Sequence, residues 1–266
     1  MNDELKVFRD ALPDLRRWQQ RAKQLERPEP GSDLAEDDSA FSYQPISETV
    51  RLSLISAGEH LRLVWDGLEL KNYYTMSQYS AVRTAIVGAA QAVWVLAPNE
   101  PTTRRERGYI AITDTYVQLR KYHELVLRQA TELQRLQLTP EREAKLRDQI
   151  AWVESREAAV RALRTGQAML NVAAFIEAAA PEIFPGDEFR QAGLRQAWNI
   201  LSSDAHVLSW SLAMRTTFAT PADNLTGLST GAADGRSLGG LAAWFSLAMH
   251  SLRRGWSLFD RRCEGR

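Results

Sequence analysis

Apolar side chains recur three and four positions apart along most of this chain, a spacing that gathers them on one side of an α-helix. The stripe Val50, Leu54, Ala57, Leu61, Val64 and Leu68 is the clearest case, and Ser47 stands where its N-cap belongs. An earlier stripe (Leu5, Phe8, Leu12, Leu15, Trp18) predicts a helix over 3–26, kinked or late in starting because Pro13 falls inside it. Between the two, 27–46 is acidic and proline-rich, and reads as a linker or wrapped arm rather than a secondary element. After a break at Asn72 to Ser77, a helix with little charge runs to Pro98. Ala81, Ala85 and Ala89 recur along it every four residues with Gly88 beside them. Small residues at that spacing let a neighbouring helix come close, so this element is expected at the centre of the molecule.

Thr103 and Glu106 have capping-box spacing just after Pro101. The helix they open reaches about Leu138 along Tyr109, Ile112, Tyr116, Leu119, His123, Val126, Ala130 and Leu133. Thr139 and Pro140 restart the chain as N-cap and first helical residue, and the next helix carries Leu146, Ile150, Val153, Val160 and Leu163 to about Gly166. Together these predict a long antiparallel hairpin protruding over about 103–166, its arms roughly 35–50 Å long at 1.5 Å per residue. Further helices are expected over 167–180, with Pro181 and Pro185 bracketing a turn, from an Asp187 cap to about Ala219, and over 238–259. Leu241, Phe245, Leu252 and Phe259 would face inward on the last of these, which follows a Gly/Asp/Thr-rich loop at 220–237. No segment alternates with the period of a strand. The predicted fold class is all-α: an N-terminal helix (1–26), a linker (27–46) and one multi-helix bundle domain (47–260) that includes the hairpin.

Composition narrows the function classes. The 266 residues are 44% hydrophobic and 25% charged, as expected of a globular chain rather than a disordered one. Lys+Arg and Asp+Glu both total 33, so the overall basic excess of a typical nucleic-acid binder is missing. The single Cys263 cannot form an internal disulfide, and 1–9 are charged with no apolar core of a secretory signal. A cytoplasmic location is therefore expected. The run 79–97 matches one bilayer span in length, but it contains Arg83, Thr84 and Gln91 and is otherwise mostly Ala and Val. It reads as a buried core helix, with no membrane partner.

Chemistry could sit on the helix after Asp187. Beside its apolar stripe (Leu194, Trp198 or Ala197, Leu201, Ala205, Leu208, Leu212) runs a row of Arg195, Asn199, Ser202, His206 and Ser209. That row lacks Lys and Glu, so it reads either as the lining of a cleft or as a buried hydrogen-bonded seam. Arg83 needs a partner from another element: a carboxylate such as Glu59, a backbone carbonyl or an anionic ligand. His60, on the polar side of its helix, could meet it across an interface, while His123 reads as core and His250 has no evident partner. There is no HExxH, no cysteine cluster and no GxSxG, so neither a metal nor a cofactor is expected. The 231–237 run GAADGRS departs from a phosphate loop: it is one residue short and has Arg236 in place of Lys. The candidate catalytic residues are His206, Asn199 and Arg83, and the candidate binding residues are Arg195, Ser202 and His60.

The 83–98 segment RTAIVGAAQAVWVLAP resembles one recurrent in uncharacterised helical proteins of actinobacteria, whose members often carry glutamate where this chain has Val87. Glu59-His60-Leu61 and the 201–206 block LSSDAH resemble accompanying blocks. The layout is also distantly similar to HEPN-type helical domains, many of them metal-independent ribonucleases of defence and toxin–antitoxin systems. That resemblance implies RNA as a partner, His206 as general acid or base, and Arg83 or Arg195 stabilising a pentacovalent phosphate. In the HEPN arginine–polar–histidine signature, Trp198 stands where the arginine belongs. Three readings follow. The first is a non-catalytic interaction or scaffold module with a protein partner or self-association. The second is a HEPN-like ribonuclease, and the third a small-anion sensor using Arg83 and Arg195.

Overall fold

A computed structural model of the chain describes residues 3–72, 74, 76–133, 135, 137–208, 210–211 and 237–265. The described residues form an all-α bundle of α1 (Asp3–Ala22), α2 (Asp33–Ser39), α3 (Ile46–Glu69), α4 (Ser77–Leu96), α5 (Pro101–Glu132), α6 (Pro140–Ala162), α7 (Val172–Ile183), α8 (Glu188–Ala205) and α9 (Ser237–Cys263). α4 is the hub, packed against α3, α5, α7, α8 and α9. The sequence predicted this from its small residues, and the reason is visible at Gly88: a Cβ there would lie 2.6 Å from the Ser53 carbonyl oxygen of α3. α4 is long and apolar enough to cross a membrane, and most of it is buried by the helices around it.

The inward faces follow the predicted stripes. Val50, Leu54, Ala57, Leu61, Val64 and Leu68 are buried on α3, as are Leu241, Phe245, Leu252 and Phe259 on α9. On α1 the buried set is Phe8, Ala11, Leu15 and Trp18, with Leu12 at the edge. Trp18 stacks on Trp256 of α9 with ring centroids 6.4 Å apart. α1 runs through Pro13 and stops at Ala22.

The acidic segment 27–46 is not devoid of secondary structure: it contains α2. Ser32 caps α2 by accepting from the Ala35 amide, and Asp33 and Glu36 sit in the first turn, where the helix dipole favours carboxylates. Leu34, Asp37 and Phe41 are buried. Asp37 Oδ2 accepts from Arg104 Nε of α5 at 2.6 Å, and Asp33 accepts from Arg262 of α9 at 2.5 Å. Both arginines also reach the end of α4. Arg262 donates to the Pro98 carbonyl (2.9 Å) and to Asn99 Oδ1 (2.8 Å), and Arg104 donates to the Asn99 carbonyl (3.0 Å). A helix leaves its last carbonyls without internal partners, and here Arg262 donates to that of Leu96 at 3.3 Å, while the two guanidinium groups satisfy the carbonyls just beyond α4. Ser47 is not the N-cap of α3, whose cap position is Pro45. Instead its hydroxyl and amide both donate to Asp38, at 2.5 and 2.9 Å.

The hairpin is α5 and α6. Thr139 caps α6 and Pro140 opens it, as predicted. The predicted capping box at the start of α5 does not form. The cap position is Glu100, and Glu106 reaches across to the base of the hairpin, accepting from the Thr165 amide (2.7 Å) and hydroxyl (3.1 Å). α5 ends at Glu132, short of Leu138. Among the described helices α6 packs substantially against α5 alone, where Glu157 accepts from Arg120 (3.0 Å) and Arg161 (2.9 Å).

α7 begins later than predicted, capped by Asn171, and includes Pro181 inside its last turns. Asp187 caps α8 as expected, but α8 ends at Ala205 rather than near 219. The chain then turns through Val207 at φ 58°, a left-handed conformation that stops the helix. The predicted loop and GAADGRS run at 220–237 lie, apart from Ser237, outside the described residues.

Candidate functional site

The early end of α8 reshapes the predicted polar row. Arg83, half-buried on α4, donates from Nε to Ser202 Oγ at 2.9 Å, and that hydroxyl in turn donates to the Trp198 carbonyl at 2.6 Å. Ser202 is thus fixed as a donor to its own helix and an acceptor for the guanidinium. The partner of Arg83 is a hydroxyl, not Glu59, and no described carboxylate forms an ion pair with it. Asn199 and Ser202, three apart, and Ser202 and His206, four apart, are neighbours on the α8 surface. Arg83 therefore crosses onto a short ridge of Asn199, Ser202 and His206.

That ridge is exposed. Asn199, Arg195 and His206 face solvent, so the row is neither a buried seam nor a cleft between helices, and Ser202 alone sits in the interface. His206 occupies the C-cap, its amide donating to the Ser202 carbonyl at 3.0 Å. Arg195 pairs with Glu177 of α7 at 3.0 Å. The side chain of Ser209 lies outside the described residues. His60 is elsewhere: its Nδ1 is 2.8 Å from the Ser56 carbonyl of its own helix, and no described hydrogen bond joins it to Arg83, Asn199 or His206. The structure brings Arg83 and Ser202 together, sets Asn199 and His206 beside them, and leaves Arg195 and His60 on other contacts.

Several chemically notable groups gave no sequence signal. Asp204 Oδ1 accepts from the buried Ser211 hydroxyl at 2.8 Å across the turn after α8. Arg107 of α5 donates to the Trp94 carbonyl at 2.7 Å and lies 5.4 Å from that indole, and burial lowers its pKa. Burial, with Asp260, Asp38 and Glu26 nearby, pushes the Cys263 thiol up to about 12, so it is no nucleophile near neutral pH. Among the described residues no group of three His, Cys, Asp or Glu could hold a metal ion. Two hollows open along the outer face of α3. One, of about 320 Å³, is lined by Trp18, Gln19, Glu59, Arg62, Leu63 and Asp66 among others. The other, of about 390 Å³, is lined by Leu63, Asp66, Gly67, Leu70, Tyr74 and Gln78 among others.

No protein-family model, curated protein or solved structure matches the chain. The molecule stands as an all-helical bundle with a hairpin and no family assignment.

Proposed function

We propose that the protein is a non-catalytic interaction module whose hairpin engages another helix. The observation that carries this reading is that α6, 23 residues long, leans substantially on α5 alone, so much of the hairpin faces away from the bundle. Exposed apolar side chains lie along it, among them Tyr122, Leu125, Trp152 and Leu163, interspersed with charges of both signs. An arm that keeps aromatic and leucine side chains in water on its outer side is suited to burying them against a partner. Lys121 and Lys145 stand on the two helices of the arm and make the test direct. In cells that make the protein, a lysine-reactive crosslinker is expected to join these residues to another chain. Crosslinks confined to the chain's own neighbouring lysines would refute the reading.

The Arg83–Ser202 contact favours a second reading, anion binding at the exposed ridge, as a small-anion sensor or a HEPN-like ribonuclease with His206 as acid or base. Incubation with RNA in EDTA, beside a His206→Ala control, tests it. Cleavage by the unaltered protein alone would establish a metal-independent ribonuclease and displace the interaction reading. No cleavage and no phosphate-induced change in stability would remove both forms of the second.

A further inference from the structure

We infer that the partner of the hairpin arm is a second copy of this chain, whose α3 groove receives the outer part of α5. This rests on the arm reading above and adds the identity of what it binds. The two hollows on α3 share Leu63 and Asp66, so they form one groove along that helix. Leu63 and Leu70 stand 65% and 71% exposed in it, with carboxylates between and beside them. On α5, beyond the part buried in the bundle, Tyr122 is 60% exposed and Leu125 lies beside it, flanked by Lys121 and Arg128.

The two surfaces carry the same spacing with opposite charge. On α3 the order is Glu59, Leu63, Asp66, with steps of four and three; on α5 it is Lys121, Leu125, Arg128, again four and three. Each triad spans roughly 10 Å of helix at 1.5 Å per residue. Laid parallel, so that the four- and three-residue steps coincide, Glu59 meets Lys121, Leu63 meets Leu125, and Asp66 meets Arg128. Among the described residues Lys121, Arg128 and Glu59 make no ion pair within the chain, so their charges are available. Asp66 is held by Arg62 of its own helix at 2.8 Å, an exposed pair that can exchange partners. The stretch 118–132 of the arm and the groove from Ile55 to Leu70 are each about 22 Å long. One chain carries both surfaces, and the arrangement inferred is the two-fold one in which each arm enters the other copy's groove, which closes the assembly as a dimer.

Analytical ultracentrifugation of the full chain over a concentration series tests the inference. The unaltered protein is expected to dimerise reversibly, more weakly at high salt. The arm reversal K121E/R128E and the groove reversal E59K/D66K should each weaken self-association by about tenfold or more, because like charges then face each other. Mixed together, the two variants are expected to form a heterodimer, since every arm again meets a groove of opposite charge. All substituted positions are at the surface, and circular dichroism of each variant checks that it remains helical. A protein monomeric at about 100 µM, a dimer indifferent to both reversals, or a mixture that fails to associate would each overturn it. If lysine 121 then crosslinks to a foreign chain in cells, the arm reading survives without self-docking; if it crosslinks to nothing, both fall.

Discussion

At Gly88 the difference between hydrogen and a methyl group decides how near α3 and α4 can lie. A Cβ would sit 2.6 Å from a backbone oxygen that no rotamer change can move. Gly88→Ala is therefore expected to destabilise by about 1–3 kcal/mol, although alanine is favoured in helices by roughly 1 kcal/mol. At Gly193 of α8 the nearest atom to an added Cβ is Leu247 Cδ1 at 3.7 Å, an ordinary contact. Gly193→Ala should accordingly stabilise by about 0.5–1 kcal/mol. Urea denaturation of the pair shows whether the sign reverses between them. Cys263 gives a separate residue-scale test. With its thiol pushed up to about 12, labelling by a disulfide reagent at pH 8 should be roughly a hundredfold or more slower in the folded protein than in denaturant. The alanine spacing around Gly88 was legible in the sequence because it depends on local periodicity. Asp37 was not, because its partner Arg104 lies 67 residues away and an acidic run by itself reads as solvated.

The hairpin and the α2 clamp are the elements whose electrostatics matter most. Burial would raise the Glu157 carboxyl, but Arg120 and Arg161 together outweigh it and hold the pKa below the usual carboxylate range. A depressed carboxyl contributes stability above its unfolded pKa and loses it as pH falls through the folded value. Acidification below about pH 4 should thus loosen α6 before the bundle, seen as faster amide exchange over 140–162. Glu157→Gln should flatten that dependence. In the clamp, Asp37→Ala would leave Arg104, 1% exposed, with only the more distant Asp33 carboxylate at 3.8 Å. A loss of about 3–5 kcal/mol is expected, measured by chemical denaturation. The hairpin was readable because Thr139 and Pro140 start α6 by local chemistry. α2 was not: seven residues are too few to show a helical period, and its fixing contacts come from α5 and α9. α8 was over-extended because Leu208 and Leu212 continue its apolar spacing past Ala205, where the chain has already turned at Val207. The site was legible only in part. The sequence offered Arg83 a carboxylate, a backbone carbonyl or an anion and did not single out the Ser202 hydroxyl that it meets, because that contact joins residues 119 apart in the chain.

For the molecule as a whole, a hub surrounded by five helices and a helix resting on one neighbour should not open together. Amides of α4 are expected to exchange only through global unfolding, with protection matching the stability from denaturation, and those of α6 through local opening at lower free energy. Equal protection in the two would contradict this arrangement. The guanidinium groups at the end of α4 belong to a wider pattern. Arg51 donates to the carbonyls of Arg21 in the last turn of α1 and of Gln24 just past its end, and Arg254 to that of Glu182 in α7. The chain contains 28 arginines and five lysines, a bias that charge cannot explain, since either residue supplies one positive charge. A planar fork of five donors can tie several backbone oxygens from neighbouring helices at once, whereas an ammonium is a single point on a flexible stem. Recoding every arginine as lysine would keep the net charge at zero and the hydrophobic pattern intact, yet the helix ends would come undone.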